Sequence, residues 1–162
     1  IASSNDKVLE VFTTKLKTKF RISGLGPLQW ILGTRVTQST DLTTITLDQQ
    51  LYISDLIKNY EIDKISKGRS VPADPSLLEL TPRGPDEMID PGYHSLIGKL
   101  IWLAVMTRFD ISFSVMFLSR FASSGGERHM VEAKKILRYL AGTQALKITY
   151  SSKSSELPEL IS

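Results

Sequence analysis

"TRFDISFSVMFLSRF", residues 107–121, decides what kind of fold this chain adopts. The stretch is apolar enough for a core, yet Arg108 and Asp110 stand near its start. The two charges are either a catalytic pair or the corner between two packed helices. A carboxylate is favoured where a helix begins, because it satisfies free N–H groups and meets the positive end of the dipole. A cation is favoured where the preceding helix ends. The corner therefore needs no chemistry to explain it, and Asp110 is expected as the N-cap of "DISFSVMFLSRFAS".

The helical pattern extends on both sides. "GYHSLIGKLIWLAVMTR", residues 92–108, is apolar on most sides and is expected to be buried in a bundle. "ERHMVEAKKILRYLAG", residues 127–142, puts Met130, Ala133, Ile136 or Leu137, and Leu140 inward, with Gly142 as its C′ residue. "ALKITYSS" reads as a short strand and the polar end "KSSELPELIS" as a loose tail.

Towards the N-terminus, "SSNDKVLEVFTTKLKTKF" is an amphipathic helix capped by Ser3, Ser4 or Asn5, with Val8, Phe12, Leu16 and Phe20 on one face. "ISGLGPL" ends it. "QWILGTRVTQS" and "TTITLDQ" alternate and are β-branched, so they read as a hairpin around "QSTDL", with Gly33 as a bulge or a point of close backbone approach. Asp48 can cap the next helix, "QQLYISDLIKNY", whose stripe is Leu51 or Tyr52, Leu56, Ile57 and Tyr60. The proline-rich segment 63–91 reads as a linker or functional loop. The expected fold is α+β: a small α/β part over 1–62, the linker, a helical part over 92–150, and the tail 151–162.

The chain has 162 residues, no cysteine and a net charge of +3. The missing cysteines remove disulfides, thiolate zinc sites and a cysteine nucleophile. The longest apolar run, Leu100–Met106, is far short of the about 20 residues a membrane span needs. "IASSNDKVLE" is not patterned as a signal peptide and has no initiator Met, so a piece of a longer protein is expected. Basic clusters, "KLKTKFR" and "AKKILRYL", flank a middle, residues 71–120, with six acids against four bases. That distribution admits a polyanionic partner or an ordinary solvated surface. His94 and His129 lack metal-ligand spacing, no GxSxG elbow is present, and "GLGPL" precedes a strand and lacks a third glycine. No catalytic and no metal-binding residues are expected.

Four stretches in order, "FRISGLGPLQWILGTRV", "ITLDQQLYISDLIKNY", "YHSLIGKLIWLAVMTRFDISFSVMFLSRF" and "HMVEAKKILRYLAGT", resemble the reverse transcriptase of copia-type LTR retrotransposon polyproteins. The likeness covers roughly residues 9 to 150. The departures, Phe109 for Pro, Lys99 for a small residue, Trp102 for Tyr and "SSGGERH" without its proline, point to a divergent or no longer selected copy. The resemblance implies a palm end with primer-grip hairpin and first thumb helix over 1–62, and a thumb and connection bundle over 92–150. It also implies that the chain starts just past the polymerase aspartates and stops just before those of RNase H. Magnesium would then act only in the intact parent, and no cofactor is expected here.

Two functions follow. The chain is a non-catalytic fragment of an RNA-directed DNA polymerase that handles the primer–template duplex, or a captured retroelement piece serving as a protein-interaction module. In the first, Trp30 and Gly33 lie at the primer grip, Gln50 and Lys58 on the helix that tracks the duplex, and Lys134, Lys135 and Arg138 on one cationic face. Trp30 as core and the Lys134 cluster as solvated surface remain the alternatives. The expected partners are an RNA–DNA or DNA duplex bound without sequence preference and the remaining polymerase and RNase H domains, or a protein partner if domesticated. The expected setting is intracellular, in a cytoplasmic particle or the nucleus, with no membrane.

Overall fold

The computed structural model describes residues 5–21, 26–62 and 68–151. The alternative caps Ser3 and Ser4, the first part of "ISGLGPL", the start of the proline-rich segment and the tail beyond 151 lie outside the described residues. The fold is α+β, with five α-helices and a four-stranded antiparallel sheet among the described residues. None of these helices is long and apolar enough to cross a membrane.

Helix α1 (Asp6–Lys19) starts at Asn5, whose Oδ1 accepts from the backbone N–H of Lys7 at 3.0 Å. None of its residues is buried, and Val8, Phe12 and Phe20 are exposed. The expected two-strand hairpin is three strands: β1 (Trp30–Ile31), β2 (Thr34–Gln38) and β3 (Thr44–Asp48). Gly33 is not a bulge. It is the second central residue of a two-residue turn in which Leu32 (φ 50°) and Gly33 (φ 79°) both take the left-handed conformation. A two-residue turn whose twist matches the strands demands that geometry at both positions. A fourth strand, β4 (Ile148–Ser151), pairs with β3, so the sheet order follows the chain, β1-β2-β3-β4.

Four helices hold the core. In α2 (Gln50–Asn59) the buried positions are Ile53, Leu56 and Ile57; Tyr52 is half-buried and Leu51 exposed. Helix α3 (Tyr93–Met106) buries Tyr93, Leu96, Ile97, Leu100, Leu103 and Ala104, while Val105 stays in solvent. It is thus covered on one face, not on most sides. Helix α4 (Ser112–Ser119) buries Val115 and Leu118. Helix α5 (Glu127–Gly142) packs on α2, α3 and α4 and buries both Ile136 and Leu137. Gly142 is its last helical residue and Thr143 its C-cap.

These side chains form one cluster to which α2 contributes directly. Part of the segment expected as a linker lies against it. Leu77, in a short 3-10 turn over Pro75–Glu79, is 1% exposed, and Ala73 and Leu80 pack beside it. Burying Leu77 draws the irregular chain across the helices, and His129 fixes its far side. His129 Nε2 donates to the Thr81 carbonyl (3.1 Å), while its Nδ1 accepts from the Gly126 N–H (3.1 Å).

The corner at 107–121 differs from expectation. After α3 a 3-10 turn, Phe109–Ile111, intervenes, so α4 begins at Ser112 and Asp110 does not cap it. Stronger tertiary partners take the carboxylate. Arg108, 1% exposed, donates to both of its oxygens (Nε–Oδ1 3.0 Å, Nη2–Oδ2 2.7 Å), and the Tyr139 hydroxyl donates at 2.7 Å.

Candidate nucleic-acid interface

The polar face of the sheet is set by alternation. Directly opposed residues of antiparallel strands share a face. Trp30 pairs with Arg35 and Arg35 with Asp48. Because Leu47 pairs with Ile148, Lys147 stands beside Asp48 just before β4. A row of Trp30, Arg35, Asp48 and Lys147 therefore crosses the sheet. The next rung on this face is Thr37, Thr46 and Thr149. Ile31, Val36, Leu47 and Ile148 point to the other face.

This face and the start of α2 enclose a groove. One depression of about 290 Å³ is lined by Trp30, Arg35, Asp48, Gln50, Ser54 and Gln144. A second of about 410 Å³ adds Thr37, Thr46 and Lys147. A third of about 460 Å³ runs along β2 from Trp30 to Ser39. Asp48, 6% exposed, organises the junction. One of its oxygens accepts from Arg35 Nε at 2.9 Å and the other from the Gln50 N–H at 3.2 Å.

The expected site residues thus separate into two places. Trp30, half-exposed, and Gln50 come from different elements and meet in the groove. Gly33 lies two residues beyond Ile31, the last residue of β1, at the turn, and an added Cβ there would meet nothing within 4 Å. Lys58 is exposed near the far end of α2. Lys134, Lys135 and Arg138 are on α5, away from the groove, and are half-buried.

Lys135 is already engaged. Its ammonium donates to Glu132 (2.6 Å) and Ser76 (3.1 Å) and lies 3.2 Å from Asp74, which Arg69 also reaches. Burial pushes the Lys135 pKa down, but the bonds to Glu132 and Asp74 outweigh it and hold it above the ordinary lysine value. Lys134 lines a depression with Met88, Asp90, Glu127 and Met130, and Arg138 Nε is buried without a hydrogen-bond partner. Of the three α5 cations, Lys135 is thus tied to groups of its own chain.

Sequence reasoning missed Arg35, Gln144 and Lys147. The signal was the hairpin register, which sets Arg35 against Asp48. Gln49, beside Gln50, is 1% exposed; its Oε1 accepts from Thr107 Oγ1 at 2.8 Å, which ties α2 to the end of α3. Among the described residues no group of three His, Cys, Asp or Glu side chains could hold a metal ion.

Comparison with known proteins finds mainly transposon proteins. The chain is 32% identical over 134 residues to a retrovirus-related Pol polyprotein from transposon TNT 1-94 of Nicotiana tabacum, covering 79% of the chain and 10% of that protein. It is 29% identical over 163 residues to a putative transposon Ty5-1 protein of Saccharomyces cerevisiae, covering 95% of the chain and 49% of that protein. A shorter match, 37% over 59 residues, covers 36% of the chain and 42% of a secreted RxLR effector protein of Plasmopara viticola. The chain spans between a tenth and about half of the length of these relatives. No family model and no solved structure matches it.

Proposed function

We infer that this chain, homologous over most of its length to copia-type retrotransposon Pol polyproteins and so retroelement-derived, handles the primer–template duplex of an RNA-directed DNA polymerase. The observation that carries the reading is the groove that unites Trp30 with Gln50 and adds Arg35 and Lys147. Cations, amides and hydroxyls are the groups that meet phosphate and sugar, which position a protein on a duplex without reading its sequence. An exposed indole adds a surface for sugar or base.

The chain has no chemistry of its own in this role. Metal-assisted steps fall to the rest of the parent polymerase and its RNase H domain. The exposed apolar side chains of α1 support packing against those parts. The setting is a cytoplasmic particle or the nucleus. A second reading, a captured piece acting as a protein-interaction module, draws support from the match to an effector protein and from the exposed Phe109, Phe113 and Met116.

Fluorescence anisotropy with a labelled RNA–DNA hybrid and a DNA duplex, each in two unrelated sequences, separates the readings. Duplex handling predicts affinities indifferent to sequence, about micromolar or weaker at physiological salt and tighter as salt falls. No binding at low salt rejects it in favour of the interaction module.

A further inference from the structure

We propose that Arg35 and Lys147 are phosphate-binding residues of this groove and that Asp48 is the positioning residue that holds Arg35 for the task. The proposal rests on the duplex-handling reading and assigns its anchors. Arg35 lines all three depressions, and its side chain is 47% exposed although its Nε is fixed on a carboxylate that is itself buried. That carboxylate is held on both oxygens, by Arg35 and by the Gln50 N–H. A guanidinium carries five donors in a rigid fork. With Nε engaged on Asp48, the Nη donors make no hydrogen bond to another described residue and remain for a ligand.

The geometry favours a polyanion over an isolated anion. Lys147 is exposed and stands two strands from Arg35, about 10 Å at the ordinary strand spacing. Two cations at that backbone spacing, on long side chains, suit the successive phosphates of one strand. The Thr37, Thr46 and Thr149 row lies alongside and offers hydroxyls to the same backbone. Asp48 neutralises part of the local charge, so the groove gains direction more than strength, as suits a surface along which a duplex must move.

The test measures hybrid binding at several salt concentrations for the full chain and for R35Q, K147Q, D48N and, outside the groove, R128Q, with melting temperatures as fold controls. R35Q and K147Q should each lower the slope of log K against log salt by about 0.9, the value of one phosphate contact, while R128Q leaves it unchanged. D48N should weaken binding several-fold despite removing a negative charge; tighter binding would show that Asp48 merely opposes the ligand and would end its positioning role. If R35Q unfolds, K147Q decides alone. Unchanged slopes in a chain that binds the hybrid overturn this proposal and leave duplex handling standing. Failure of the unaltered chain to bind overturns both.

Discussion

At residue scale the corner at Arg108 and Asp110 is a structural lock. Arg108 is buried, and besides Asp110 it donates to the Thr143 carbonyl (3.2 Å) and hydroxyl (2.7 Å), joining the end of α3 to the end of α5. Removing Asp110 strands a buried guanidinium, so D110A should cost about 3 kcal/mol, against about 1 for a lost helix cap; chemical denaturation measures it. Burial pushes the Asp110 pKa up, but the bonds from Arg108 and Tyr139 and the guanidinium charge prevail, leaving it below its ordinary 3.8. The stabilisation is therefore complete above that ordinary value and is lost as pH falls through the lower, folded one. The acid limb of the stability profile should shrink in D110N. Gly125 is a second sensitive position, since a Cβ there would fall inside the Tyr93 ring, whose hydroxyl donates to the Leu118 carbonyl at 2.7 Å. G125A should lose about 1–3 kcal/mol through overpacking, read as a lowered melting temperature.

At the scale of elements, the β1–β2 turn tests strain without crowding. Space is open around Gly33 but its φ is positive, so G33A should cost about 1–2 kcal/mol from backbone conformation alone. An unchanged melting temperature would mean that β1 contributes nothing to the fold. Elements whose pattern is local were legible in the sequence. The stripe Met130, Ala133, Ile136, Leu137 and Leu140 announced α5, and alternation announced β2 and β3. The break between β1 and β2 was not legible, because Leu32 carries none of the usual turn chemistry at a left-handed position. Asp110 was misread as a cap because its carboxylate turns back to Arg108 and across to Tyr139, 29 residues away, a contact no local pattern shows. The same limit hid half of the groove. Trp30 and Gln50 were readable as candidates, whereas Lys147 gained meaning only when β4 was seen beside β3.

At the scale of the molecule, α2 and the later helices share one core, and Leu77 carries the irregular segment into it. The helical part, residues 49–143, should therefore unfold in a single cooperative transition by calorimetry and by Trp102 fluorescence alike. Two separable transitions would indicate independent parts on either side of 63–91. On the proposed function, the sheet face and the start of α2, not the cationic side of α5, should meet nucleic acid. Photocrosslinking of the full chain to an RNA–DNA hybrid carrying iodouracil, with peptides mapped by mass spectrometry, separates the two faces. Crosslinks are expected at Trp30 and within the peptide spanning Gln144 to Thr149. Crosslinks confined to α5 around Lys134 and Arg138 would contradict that expectation.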